Sequence, residues 1–151
     1  MLEIKNDNLI IGKKSTSIDE INMIQSAKGK LFFSNSIVEI SKDAYDINEV
    51  YNELKKAGYS NFVLLDNAIV NVENINEVYI KYYQYAGISI FQCNKENAEM
   101  YMVVIACKNG KSETISFSSE IEAEKCCDLL NTALNNFKSN KKQIGLAVNL
   151  V

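Results

Sequence analysis

The chain has 151 residues, 47% of them hydrophobic and 23% charged, and its 16 basic against 19 acidic residues leave a formal net charge of −3. That balance describes a globular chain rather than a disordered or fibrous one, and no apolar run approaches the roughly 18 residues that span a bilayer. The chain has no His, Trp, Pro or Arg, which excludes a Ser-His-Asp triad, a Cys-His pair, an imidazole metal ligand and a bidentate guanidinium clamp, and argues against nucleic-acid binding.

The N-terminus, Met1-Leu2-Glu3-Ile4-Lys5, carries charges inside its first apolar stretch, unlike a signal peptide. The expectation is a cytoplasmic protein, in its own cell or in an infected host cell, with no membrane partner. Alternation predicts strands at 2–5 and 9–12 around a turn at Asn6-Asp7-Asn8. Ser17-x-x-Glu20 has the form of a capping box, Ile18, Ile21 and Ile24 follow at helical spacing, and Gly29 suits a C′ position, so a helix is predicted over 18–27. Lys30–Ser34 and Ser36–Ser41 read as a hairpin about Asn35. Asp46-x-x-Glu49 opens a second helix whose Ile47, Val50, Tyr51 and Leu54 share one face, and Gly58 ends it.

From residue 61 the pattern turns to strands: Phe62–Leu65 and Ala68–Val72 about Asp66-Asn67, then 77–86, 88–93, 99–107 and 112–117. Lys108-Asn109-Gly110-Lys111 predicts a type I′ hairpin turn. Ser119-x-x-Glu122 caps a third helix with an apolar face of Ala123, Cys126, Cys127, Leu130, Leu134 and Phe137. The tail 143–151 alternates, with Ile144, Leu146, Val148 and Leu150 on one side, and predicts a final strand that pairs either with an edge of its own sheet or with another copy of the chain. The fold class is therefore α+β, a single domain over 1–151 with a mostly antiparallel β-sheet, two to three helices and a C-terminal strand.

Four of the eight tyrosines fall within seven residues, at Tyr79, Tyr82, Tyr83 and Tyr85. On a strand Tyr79, Lys81, Tyr83 and Tyr85 share one face, and Val78, Ile80, Tyr82 and Ala86 share the other, the expected core side. Tyrosine offers a large rigid surface with a polar tip, so the first set suits a protein-binding hot spot or a stacked planar ligand, or else ordinary cross-strand packing. Cys93, Cys107, Cys126 and Cys127 contain no C-x-x-C and read as reduced, mostly buried thiols. The carboxylate pairs Glu73/Glu77 and Glu96/Glu99 match no metal-loop pattern. Glu120, Glu122, Glu124 and Asp128 suit a helix N-terminus, with an acidic docking face as the alternative. Gly12-Lys13-Lys14-Ser15 lacks the upstream glycine of a P-loop. No metal, cofactor or catalytic residue is expected.

The order in 61–137, strands, an Asn-Gly hairpin and a capped helix, resembles the pleckstrin-homology-like arrangement of small bacterial and phage proteins. Ala68-Ile69-Val70-Asn71-Val72-Glu73-Asn74-Ile75-Asn76-Glu77-Val78 resembles the first-hairpin segment of that group. The resemblance implies a binding platform and carries no site residue. The resulting expectation is a non-catalytic protein-binding module that contacts another protein through Tyr79, Lys81, Tyr83 and Tyr85, as an immunity factor or a phage or mobile-element inhibitor of a host or toxin protein does. A nucleotide-like small-molecule binder and a virion or assembly component are the alternatives.

Overall fold

Turn chemistry organises the first half of the chain. Asn6 and Asp7 both adopt positive φ, 52° and 61°, the type I′ geometry that matches the twist of flanking strands and that Asn and Asp tolerate best among residues with a Cβ. They join β1 (Leu2–Lys5) to β2 (Asn8–Ile11), which pairs onward with β3 (Lys14–Ser17) in a three-stranded antiparallel sheet. The computed structural model describes residues 2–33, 37–39 and 46–149. The turn expected at Asn35, the strand end at 40–41 and the last two residues of the tail lie outside them.

The helix predicted over 18–27 is instead a single 3-10 turn at Ile18–Glu20 followed by strand β4 (Met23–Ala27). Ile18, Ile21 and Ile24 are all buried, but they come from the turn, the linker and the strand in succession. Their three-residue spacing thus mimics a helix stripe without forming one. Ser17 makes no side-chain cap bond, and Gly29 lies in the turn between β4 and β5 (Lys30–Phe32) rather than at a helix end. A second sheet follows in the order β6 (Ile37–Glu39), β5, β4, β8 (Ala68–Asn71), β7 (Phe62–Leu64), antiparallel throughout.

Helix α1 (Ile47–Lys56) forms as its sequence requires. The Asp46 carboxylate accepts from the Glu49 N–H at 2.9 Å, which satisfies one orphan donor of the first turn. Ile47, Val50 and Leu54 are buried. At the other end Gly58, with φ +94°, donates to the Lys55 carbonyl while Tyr59 N–H donates to Leu54. This is a Schellman closure, and a side chain with a Cβ would strain it. Tyr59 then packs edge-on against Phe62 and donates its hydroxyl to Asp7 Oδ1 at 2.6 Å. The core gathered here includes Leu9, Ile18, Ile21, Ile24, Leu31, Val50, Leu54 and Ile69.

Residues 1–74 and 75–151 are two compact units. The second is a four-stranded antiparallel sheet in the order β10 (Ser89–Gln92), β9 (Ile75–Ala86), β11 (Met100–Cys107), β12 (Ser112–Phe117). Helix α2 (Glu120–Asn149) packs on β9, β11 and β12. Its N-terminus is capped by Ser119, whose Oγ accepts from the Glu122 N–H at 3.4 Å. Two expectations are corrected here. The β11–β12 turn is not type I′, because only Gly110 has positive φ (+85°). Gly110 N–H donates to Cys107 and Lys111 N–H to Asn109 Oδ1, the geometry of a type I turn closed by a left-handed glycine. The tail is also not a strand: α2 continues through Asn149, so residues 143–149 present no strand for copies of the chain to pair through. Two-residue alternation over nine residues was outweighed by the helix already propagating into it, since each further residue adds a backbone hydrogen bond without a new nucleation cost.

Two asparagine side chains, the buried Asn71 and the partly buried Asn74, tie the first unit together. Asn71 donates to the Ile21 carbonyl at 2.9 Å, and its Oδ1 accepts from Asn61 Nδ2 at 2.7 Å and from the Glu73 N–H at 3.1 Å. Asn74 Nδ2 reaches Asp19 O, Ile21 O and Asn22 Oδ1. Replacing Asn71 by Ala takes its acceptor from the partly buried Asn61 amide and Glu73 N–H and removes one of the two side-chain donors to the buried Ile21 carbonyl, at about 1–3 kcal/mol per group left unsatisfied. Urea denaturation of Asn71→Ala should show a midpoint lowered by at least about 2 kcal/mol of stability with an unchanged slope. Asn61→Ala, which removes one partner at a partly buried site, should lose less than half as much.

Candidate protein-recognition face

Strand β9 is twelve residues long and pairs on both sides, so its alternation governs both faces of the sheet. Val78 lies opposite Ile105, Ile80 opposite Val103 and Tyr82 opposite Tyr101. Val78, Val103 and Ile105 are buried together with Ala123, Leu130 and Leu134 of α2. The Tyr82 and Tyr101 rings meet edge to face at 6.0 Å and 89°, the arrangement the ring quadrupoles favour. Asn131 of α2 donates to the Val78 carbonyl at 3.5 Å, tying the helix to this strand. Near the far end of β9 the register slips by one residue: Ala106 faces Glu77 but Cys107 faces Ile75. A bulge of this kind re-aims a side chain, and it brings Ile75 to the side of Cys107, where both are buried. Ala86 does not join this core. It sits at the end of β9 and is exposed.

The other face carries Tyr79, Lys81, Tyr83 and Tyr85, as alternation predicts. Tyr79 lies opposite Val104, Lys81 opposite Met102 and Tyr83 opposite Met100. Across the other ladder Tyr83 faces Gln92 and Tyr85 faces Ile90. The four residues therefore form one row, with Val104, Met102 and Met100 beside Tyr79, Lys81 and Tyr83 on one side and β10 beside Tyr83 and Tyr85 on the other. Tyr79, Lys81 and Tyr83 are partly buried and Tyr85 is 51% exposed. The row is thus neither a sealed core nor a set of isolated surface rings.

Sequence reasoning missed the exposed hairpin beyond this row, where Ile90 shares the face of Tyr85 and Phe91, opposite Gln84, lies on the other face. Ile88 is fully exposed, Ile90 is 44% exposed and Phe91 48%. With Tyr85 they make an apolar hairpin tip at the sheet's edge. A signal was present: residues 82–94 form a run of thirteen without a single charge, in a chain that is otherwise 23% charged. Exposed apolar side chains grouped in this way mark contact sites more often than single ones do.

Lys95, in the short turn after β10, bonds Glu120 at 3.1 Å and Glu124 at 3.6 Å, so part of the acidic start of α2 is already paired. Both contacts raise the Lys95 pKa, the Glu120 hydrogen bond most. Among the described residues no group of three or more Cys, Asp or Glu side chains converges in a way that could hold a metal ion. Glu96 lies in the short turn with Lys95, and Glu99 is exposed at the start of the following segment. Gly12 and Lys13 form the turn between β2 and β3. An open depression of about 260 Å³, lined by Leu2, Glu49, Asn52, Glu53 and Lys56, lies between β1 and α1 in the first unit.

Burial pushes the Cys107 and Cys126 thiols up to about 11, with Glu113 and Cys127 respectively adding to the shift, and it raises Cys127 as well. These thiols stay protonated at neutral pH, the opposite of an activated nucleophile. No known family, curated protein or solved structure matches the chain.

The thiol shifts have a definite sign. A thiol whose folded pKa exceeds its unfolded value stabilises the fold fully below the unfolded value of 9.0 and loses that contribution as pH rises towards 11. Thermal melts should therefore fall between pH 9 and pH 11 more steeply for the native chain than for Cys107→Ala/Cys126→Ala. Equal slopes would mean that the two thiols are not the groups being titrated.

Proposed function

We propose that the chain is a protein-recognition module without catalytic activity, and that it contacts a partner protein through Tyr79, Lys81, Tyr83 and Tyr85. The observation that carries this reading is the row itself. The register of β9 sets these four side chains side by side on one sheet face, while the buried residues of α2 gather with Val78, Val103 and Ile105 of the other. Partly buried tyrosines lose little rotamer entropy on contact and bring large apolar area with a hydroxyl at the rim. The partner is a protein with a basic surface, because a chain of net charge −3 accelerates encounter with positive charge. The resemblance to pleckstrin-homology-like platforms points the same way. Immunity factors and mobile-element inhibitors of host or toxin proteins are the classes this reading favours, acting in the cytoplasm.

The test begins with affinity capture of a stoichiometric partner and continues with calorimetric titration of purified components. Tyr83→Ala, at the centre of the row, should weaken binding by about 2 kcal/mol, roughly thirtyfold, as a hot-spot tyrosine does. Glu122→Gln, on the exposed side of α2, should change the affinity less than twofold. Unchanged affinity in both Tyr79→Ala and Tyr83→Ala, with native melting temperatures, would sink the assignment of this face. A substrate turned over at a rate that one substitution abolishes would sink the non-catalytic reading.

A further inference from the structure

We propose that a second copy of this chain adds to the edge strand β10, antiparallel and about a twofold axis at Phe91, to form a continuous eight-stranded sheet. The inference is independent of what the tyrosine row contacts. It rests on the ladder geometry, the exposure and the charge pattern of the β9–β10 hairpin.

The ladder shows which backbone groups are open. Cys93 N–H donates to the Tyr82 carbonyl at 2.9 Å, and the register continues through Gln92/Tyr83, Phe91/Gln84 and Ile90/Tyr85. Hydrogen-bonded and non-bonded pairs alternate in an antiparallel ladder. Phe91 and Ser89 therefore bond inward to β9, while the N–H and C=O of Ile90 and Gln92 point away from it. Nothing pairs on that side among the described residues, because β10 ends the sheet. Helix α2 lies over β9, β11 and β12 and leaves Phe91 48% exposed.

The charge pattern selects the occupant. A twofold axis sets each residue against its own kind, so a charged edge repels its copy and a neutral one does not. All four residues of β10, Ser-Ile-Phe-Gln, are uncharged, and the nearest charges in the chain are Lys81 and Lys95. Edge strands are ordinarily guarded against pairing by Lys, Pro or a bulge, and β10 has none of these. With the axis at Phe91, the outward groups of Ile90 meet those of Gln92 in the second copy, reciprocally. The two Phe91 side chains then meet in a non-bonded pair, where Cα atoms approach to about 4.5 Å. Side chains at paired positions share a face, so both tyrosine rows lie on one side of the joined sheet and both copies of α2 on the other.

Sedimentation equilibrium on the full chain, from low micromolar to millimolar, tests this. The expected result is a concentration-dependent passage from monomer to dimer. Phe91→Lys and Phe91→Glu should each remain monomeric, with association weakened about tenfold or more by like charges held opposite, and with unchanged circular dichroism. An equimolar mixture of the two should recover the dimer. Ile90→Pro removes an outward donor without touching the β9 ladder and should also be monomeric. A native chain that stays monomeric throughout, a Phe91→Lys variant that dimerises as the native chain does, or a mixture that fails to recover would each overturn the proposal.

Discussion

The second unit depends on one constraint, the strict two-residue alternation of β9. A strand held in a ladder, with β11 over 75–83 and with β10 over 83–86, cannot rotate to bury a chosen side chain. Whatever stands at even positions from Val78 to Tyr82 goes to one face, and whatever stands at odd positions from Tyr79 to Tyr85 goes to the other. Burying Val78 with Ile105, and packing Leu130 and Leu134 of α2, thereby fixes the direction of the tyrosine row. At about 1.5–3 kcal/mol for each large apolar side chain buried, the core face is far stronger than any preference of the tyrosines themselves. The only slip is the bulge at Cys107, and it comes at the end of the ladder where it recovers Ile75 for the core.

Elements whose local signals agree with one another were readable from the residues. Helix α1 has a cap, a buried stripe and a glycine stop that all name the same ten residues. The strands of 62–117 have turn residues between them and a consistent period. The errors share a physical cause: a local pattern outvoted by what surrounds it. Ile18, Ile21 and Ile24 lie three apart because three successive pieces of backbone each face the same core. The tail alternates, but α2 reaches it already formed. At Asn109-Gly110 the residues suit two turn types, and the Asn109 side chain bonding Lys111 N–H goes with the three-residue one. The tyrosine row was legible because side-chain period needs no tertiary information. Ile88, Ile90 and Phe91 were not, because exposure depends on what lies beyond the strand.

The first unit solves a different problem, that of holding short strands in register. Strands of three to five residues supply few ladder bonds, and the chain supplements them with asparagine. Asn71 and Asn74 bond the carbonyls of 19 and 21, where the chain leaves the 3-10 turn and begins β4. A hydrocarbon side chain at position 71 would bury as well but would take a donor from the buried Ile21 carbonyl, and a buried acceptor left short of a donor costs more than a made hydrogen bond returns. This explains why a residue usually found on surfaces is buried at position 71, and why the segment 68–74 runs Ala-Ile-Val-Asn-Val-Glu-Asn rather than as an unbroken apolar strand.

The two edges of the four-stranded sheet are treated unequally, and that inequality bears on how the molecule meets others. Strand β12 carries Glu113 and presents Ser112, Thr114 and Ser116 on its exposed side, with Lys108 and Lys111 in the turn that leads to it. Charge and hydroxyls there disfavour another strand. Strand β10 has no charge and one hydroxyl, Ser89, although the chain has 16 basic residues to distribute and, having no proline, no other common edge guard but a bulge. Leaving Tyr85, Ile88, Ile90 and Phe91 in water forgoes several kcal/mol that burial would return. No packing demand within the hairpin requires Ile88, whose side chain is fully exposed in a two-residue turn, so the fold alone gives no reason for an apolar residue there. A surface that costs solubility and adds nothing to the core fits the proposed pairing of two copies, whose geometry the open donors of the same strand would set.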